Sequence, residues 1–458
     1  MKPRFVAIRH DGLGSRLQCL HGAVTIARHF DCEFEFAWPL NPKVADSEHH
    51  AFEEAENIFA PSFLENHRRE GWNHFFHGNW YGHVRWKNYH HHMLRPIHIE
   101  RIRKGVAIQK PCLIAAFQDY EDLLKPDFRL EEYADAFRAI AFSDRVNVAI
   151  DAAERVPLPA EATAIHLRTG DVVHGSCRGT DTFTGLVLSF PLACTVAERE
   201  RAEGRDILVF GQDPAAIAEV CRRTGGRSAE DLLQQYEFDE IQAWFFETRL
   251  MSRCARIVAG NSAFARFAAR IGAKRVTNGH ALFDGPGALE TVMAFNEAET
   301  GIDDIQMGFA NWAVVSRHFN SLSLEQRLAC TERAAALDPG NVLFSMARIL
   351  YKTEAGETDE ALERLEALIG EHAGREGPNT LPLLLWTWGE GFVPKAFESS
   401  RKAFFELAWS GVPAAALCQT FIAANVDRAR QFGEAYLASA HPSKPAYGDL
   451  VQRHLDRI

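Results

Sequence analysis

Residues 164–173 read AIHLRTGDVV, which sets an imidazole, a guanidinium and a carboxylate (His166, Arg168 and Asp171) within six residues. A guanidinium is a planar fork of donors that matches phosphate oxygens two at a time. The carboxylate is a candidate proton acceptor. Ala164, Ile165 and Leu167 alternate around the polar pair, as a strand ending at its carboxyl edge would. Thr169-Gly170-Asp171 then reads as a turn, with Gly170 free to adopt a positive φ. A solvated strand end would use the same residues, so the rest of the chain must decide.

Three other segments bear on the question. Gly12-Leu13-Gly14-Ser15-Arg16 follows an apolar run, RFVAIRH, and precedes a helical pattern. Free amides at such a helix start, with the helix dipole, attract phosphate. The P-loop ending GK[ST] is absent, and Leu17 stands where a dinucleotide fingerprint needs its third glycine, so a tight strand-to-helix turn explains the segment equally well. ILVFGQD is a strand leading to Asp213 and Pro214, where Asp213 is suited to N-capping. Finally, FFETRLMSRCARIVAGNSAFARFAARIG runs helix, strand, helix, and Asn261-Ser262-Ala263-Phe264 opens its last helix as a second phosphate-facing turn. Glu247, just upstream, could accept two guanine N–H bonds as a carboxylate or could lie on a solvated helix face.

Taken in order, GLG, HLRTGD, the strand ending in Gly-Gln-Asp and LMS…AGNSAF resemble the layout of GDP-fucose-dependent fucosyltransferases: the α-1,2 and α-1,6 enzymes and the protein O-fucosyltransferases. The resemblance covers roughly the first 300 residues, with HLRTGD and LMS…AGNSAF its most specific parts. It implies that Arg168 binds the β-phosphate of GDP-fucose, that His166 lies beside the base, that Glu247 reads guanine, and that Ser262 to Phe264 face the phosphates. Asp171 matches the motif's acid, and Asp213 the acid after the neighbouring strand. Many members carry a second arginine where this chain has Thr169, and asparagine where it has Ser15. The implied activity is an inverting fucosyl transfer to a carbohydrate hydroxyl, without metal or cofactor beyond the donor sugar nucleotide. The general base is left open among Asp171, Asp11 and His10. Another GDP-sugar, a protein acceptor, or a scaffold that no longer turns over remain alternatives; a dinucleotide oxidoreductase is disfavoured by the incomplete glycine fingerprint.

The elements needed to position these residues can be read from the pattern. A βαβ opening is followed by strands TAIHLR, DILVFG and ARIVAG separated by helices, which predicts an α/β protein with ligands at the carboxyl ends of its strands. We expect two facing Rossmann-like domains of GT-B type, 1–150 on the acceptor side and 151–304 on the GDP-sugar side. From 305 to 458 the strand pattern disappears. Ser323 and Gln326 form a capping-box signature, and Leu343, Met346, Ala347 and Leu350 keep helical spacing. This predicts an all-α part of stacked hairpins resembling tetratricopeptide repeats, which stabilises or dimerises the rest or binds a protein partner.

Composition excludes several classes. Lys+Arg 50 against Asp+Glu 61 gives −11, against general nucleic-acid binding. The nine cysteines are scattered without a CxxC pair, and no apolar run is long enough to span a bilayer, so a cytoplasmic protein without a transmembrane segment is expected. His74, His77, His83, His90, His91, His92 and His98 crowd one region with Trp80, Tyr81, Trp86 and Tyr89. Neither cysteine nor a helix-spaced His pair completes a metal signature there, so an acceptor-lining or structural loop is expected.

Overall fold

The structure is a computed structural model that describes residues 3–9, 12–38, 53–69, 94–106, 108, 112–114, 120–175, 177–298, 301–423 and 425–458. His10, Asp11 and all the crowded histidines except His98 lie outside the described residues, as does the side chain of Asp171. His98 itself accepts a hydrogen bond from the Arg95 amide (3.1 Å) and caps the helix Pro96–Arg103.

Strand β1 (Arg4–Ile8) runs parallel to both β2 (Glu33–Ala37) and β3 (Cys112–Ile114), in the order β2-β1-β3. Phe5, Val6, Ala7 and Ile8 are all buried, as expected of a parallel strand covered on both faces. Helix α1 (Leu13–His29) joins β1 to β2 and is buried nearly all round, including Gln18, His21 and Thr25. His21 stays neutral there: burial lowers its pKa to about 3, although its ring nitrogen contacts the Tyr133 carbonyl at 2.7 Å.

A second sheet has the order β6-β5-β4-β7-β8, formed by β4 (Thr163–Leu167), β5 (Ile207–Gly211), β6 (Arg227–Ser228), β7 (Arg256–Ala259) and β8 (Val276–Asn278). The pairs β4–β7 and β5–β6 are parallel. β4 is buried along its whole length. The expected mixed α/β fold with parallel sheets is therefore present. Among the helices that follow strands are α2 (Pro214–Thr224), α3 (Glu240–Arg253) and α4 (Ala263–Ile271).

After Asn278 the described residues contain helices and no strand. Helix α5 (Asp304–His318) is the first of nine α-helices that run to Leu455 among the described residues. The predicted capping box forms: the Gln326 amide donates to Ser323 Oγ (3.2 Å) and the Ser323 amide to Gln326 Oε1 (2.9 Å). The break at ALDPGN separates the helices Leu324–Leu337 and Val342–Glu354.

By packing, the chain divides into two compact units. One compact unit comprises Met1–His166, Glu200–Phe210 and Thr224–Thr277; the other comprises Leu167–Arg199, Gly211–Arg223 and Asn278–Ile458. In the first, residues of both sheets and of α1, α3 and α4 share one apolar core. In the second, the segments that leave β4 and β5 join the helices: Val172, Val173 and Val187 pack on Phe309 and Ala313 of α5.

One glycine fixes how closely β4 and β5 end. A Cβ on Gly211 would stand 2.6 Å from the Leu167 carbonyl oxygen, a backbone atom that cannot turn aside. We expect Gly211→Ala to lose about 1–3 kcal/mol, the usual cost of overpacking, and to melt at a lower temperature. Gly370→Ala is the control. It lies in the helix Thr358–Glu371 with open space at its Cβ, and helix propensity should leave it unchanged or raised. Equal melting of Gly211→Ala and the parent protein would remove the steric constraint.

Candidate functional site

The predicted residues fall into two groups, one in each compact unit. In the first unit, α1 starts at Leu13, earlier than the helical pattern alone suggested, with Gly12 as its N-cap. The amides of Ser15 and Arg16 both turn back to the Gly12 carbonyl, at 3.1 and 3.2 Å. Gly14 and Ser15 therefore sit inside the first turn, and the outward amides of that turn are those of Leu13 and Gly14. Arg16 is buried, with its guanidinium over the Trp38 ring, 5.2 Å from the centroid. Its place is in the packing of α1, not at a solvent-facing anion site.

Helix α4 begins beside α1. The Gln18 amide of α1 donates to the Ala263 carbonyl in the first turn of α4, so the two candidate phosphate-facing turns are tied together. Ser262 is the N-cap of α4, yet its hydroxyl makes no capping bond; it is buried and has no hydrogen-bond partner among the described residues. Such an orphan costs roughly 1–3 kcal/mol unless something bonds to it. Asn261 is exposed and accepts from Arg266 at 3.2 Å. Phe264 stacks on His166, with centroids 5.3 Å apart and planes 27° from parallel.

Trp244 joins this group and was not singled out in the sequence. Its ring meets Phe264 edge-on at 5.5 Å and lies 3.6 Å from where a Cβ of Gly14 would be. The signal was present: Trp244 and Glu247 are three apart on α3 and share a helix face. Glu247 is half-buried and makes no ion pair among the described residues, and burial, with Glu230 adding repulsion, raises its carboxyl to about 7. A desolvated carboxylate near neutrality binds donors strongly, because it has no other partner to lose.

In the second unit, Arg168 follows β4 directly and donates to Gln212 Oε1 at 2.8 Å. Thr169, where many family members carry a second arginine, is fully buried. Residues Gly170–His174 form a π-helical turn, closed by Gly175 N–H to the Gly170 carbonyl at 3.1 Å. Single π turns are frequent at functional sites. Gly170 does not take a positive φ; a Cβ there would stand 2.3 Å from Gln212 Oε1, so Gln212 would have to shift.

Asp213 is buried and fully engaged. Its Oδ1 accepts from the Ala216 amide (3.1 Å), capping α2. Its Oδ2 accepts from Gln306 Nε2 (2.6 Å) and contacts His174 Nε2 (3.3 Å). Burial works to raise its pKa, but the His174, Ala216 and Gln306 bonds outweigh that and bring it to about 2. Asp303 Oδ2 is 3.9 Å from His174 Nε2. His174, Asp213 and Asp303 thus hold three donor atoms within 4.8 Å of one another. Asp213 Oδ2 is shared between Gln306 Nε2 and His174 Nε2.

Among solved structures, the chain is similar to the selenomethionine form of fucosyltransferase NodZ from Bradyrhizobium, at 14% identity over 58% of this chain and 91% of that one, with a TM-score of 0.34. It is also similar to NodZ α-1,6-fucosyltransferase co-crystallised with GDP, at 15% identity over 58% and 92%, with a TM-score of 0.33, and to the form soaked with GDP-fucose, at 15% over 59% and 93%, with a TM-score of 0.32. No protein-family model and no curated protein matches the chain. At this degree of likeness the functional argument rests on the residues.

Glu247 makes one consequence measurable without any ligand. A carboxyl whose pKa rises from 4.5 to about 7 on folding costs stability as pH climbs through that interval, and the cost is complete above it. Glu247→Gln removes the charge, so the variant should match the parent near pH 4.5 and be more stable at pH 8, by on the order of 3 kcal/mol at most. Parallel melting curves across that range would show that the carboxyl is not desolvated.

Proposed function

We propose that the chain is an inverting glycosyltransferase that moves fucose from GDP-fucose to a carbohydrate hydroxyl. The observation that carries this reading is the pair of strand ends at β4 and β5. At the carboxyl edge of a parallel sheet, where α/β folds bind ligands, a guanidinium is held in place by Gln212 just before a π-helical turn. Preorganised donors of this kind act on charge that develops as a bond breaks. When C1 of the sugar separates from the β-phosphate oxygen, the diphosphate gains negative charge, and Arg168 presents two parallel N–H groups to it.

The same reading gives the other unit's residues their work. The first-turn amides of α1 and α4 and the Ser262 hydroxyl supply donors to phosphate. Glu247 meets the N1–H and N2–H edge of guanine, which matches an acceptor that burial has left without a partner. His166 and Phe264 offer a stacked ring pair to the base. A GT-B-type arrangement, and a tetratricopeptide-like role for residues 305–458, belong to this proposal as well.

Buried Thr169 favours a second reading. Without a second cation beside Arg168, the chain could use another GDP-sugar, act on a protein, or bind the nucleotide as a scaffold without turnover. Hydrolysis of the donor separates these: a scaffold binds GDP but does not release it from GDP-fucose.

Two measurements test the proposal. GDP at a hundred times its dissociation constant should stabilise the protein by about 2.7 kcal/mol, while UDP and NAD should not, and Glu247→Gln should weaken the GDP effect. Equal shifts with UDP-sugars would end the guanine assignment. Arg168→Lys keeps the charge but not the fork. Single-turnover GDP release should then fall about a hundredfold or more, roughly 3 kcal/mol, with a far smaller change in GDP affinity and no change in melting. Near-normal turnover in the folded variant would reduce Arg168 to a solvated strand end.

A further inference from the structure

The proposed reaction needs a group to take the proton of the attacking hydroxyl. Asp171, Asp11 and His10 came forward from the sequence, but none of their side chains lies within the described residues. His174 lies on the same turn as Gly170, three residues beyond Asp171 and one π turn past Arg168. Its Nε2 is anchored at 3.3 Å to Asp213 Oδ2. Asp213 is itself fixed by the α2 cap and by Gln306, so the ring is held on a rigid support. The His174 side chain is 33% exposed, which leaves a route for a proton to reach solvent.

We propose that His174 is the general base of this reaction, with Asp213 as its positioning residue. The inference rests on the glycosyl-transfer reading above. In the step, an acceptor oxygen forms a bond to C1 of the sugar as the C1–O bond to the β-phosphate breaks. The electron pair of that bond leaves with GDP, and the hydroxyl proton passes to Nδ1 of His174, while Nε2–H donates to Asp213. A carboxylate that orients the imidazole and stabilises the resulting imidazolium is a recurrent device of base catalysis.

The electrostatics agree in sign. The hydrogen bond to Asp213 raises the His174 pKa above its ordinary 6.5; burial opposes this, and the charges of Asp303 and Asp213 add to the rise. Arg178 works against it and is itself paired with Asp338, at 2.8 Å through its Nε. Below the raised pKa the ring is an imidazolium and accepts nothing, so turnover should climb as pH rises through a midpoint above 6.5.

Water can serve as the acceptor, which removes any need to know the natural one. The experiment follows GDP release from GDP-fucose by the full chain, with GDP thermal shift as the binding control. His174→Gln keeps an amide donor for Asp213 but supplies no base. We expect unchanged GDP stabilisation, release slowed about a hundredfold or more, and loss of the rise with pH. Azide is already deprotonated and needs no base, so it should restore GDP release in the variant and form fucosyl azide. Asp303→Asn retains the cap that the Asp303 carboxyl makes to the Gln306 amide (2.8 Å) but removes a charge, and should move the midpoint back toward 6.5. Normal release by His174→Gln, or no azide rescue in a variant that binds GDP, would overturn the role of His174. Absence of GDP stabilisation in the parent protein would instead overturn the glycosyl-transfer reading, and the base assignment with it.

Discussion

Asp213 is the point on which the second compact unit is assembled. A buried carboxylate is expensive unless its lone pairs are taken up, and here three separate segments take them up. The Ala216 amide comes from the start of α2, Gln306 from the first turn of α5, and His174 from the π turn after β4. Removing the carboxylate would leave the Gln306 amide and a helix-start N–H without their acceptor, so the three segments depend on one another through it. This explains why the unit is discontinuous. The turns that leave β4 and β5 are both held by α5, the first packed on it through Val172, Val173 and Phe309 and the second bonded to it across 93 residues of chain through Gln306 and Asp213.

The first unit is organised around one apolar core shared by both sheets and by α1, α3 and α4. α1 is buried on every side, which is why its hydrophobic stripe was hard to delimit and why its start was placed too late. A helix with an exposed face advertises its ends through a change of pattern; a fully buried one does not. Gln18 is then an apparent anomaly, a polar residue in a dry position, until its bond to the Ala263 carbonyl shows that it fastens one helix start to another. The arrangement holds the two turns in register whether or not a ligand is present.

Local pattern carried the strands, the capping box and the motif at 166–171, because each depends on residues near in sequence. Alternation in TAIHLR and the Gly-Gln-Asp strand end were sufficient to place β4 and β5. The partners that complete the site were not legible. Gln212 against Arg168, Gln306 against Asp213 and Trp244 against Phe264 all join positions whose relation exists only after folding. The two compact units follow the places where strands end, a relation that likewise exists only after folding. Arg16 shows the same at a single residue: its spacing after GLG was legible, but its packing over Trp38 exists only after folding.

The polar groups left without partners show where stability has been given up. Ser262 and Thr169 carry buried hydroxyls that bond to nothing among the described residues, and Glu247 carries a carboxyl held near neutrality by burial. A core selected only for stability would have alanine, valine and glutamine at such positions. All three flank segments singled out by the sequence motifs: Thr169 beside Arg168, Ser262 at the start of α4, Glu247 on α3. Asp213 shows the opposite choice, a buried charge with every oxygen satisfied. The contrast sets Asp213 apart from these three groups. It also predicts where ligand binding should return the missing stability, at the unsatisfied hydroxyls and the desolvated carboxyl, with Asp213 unaffected.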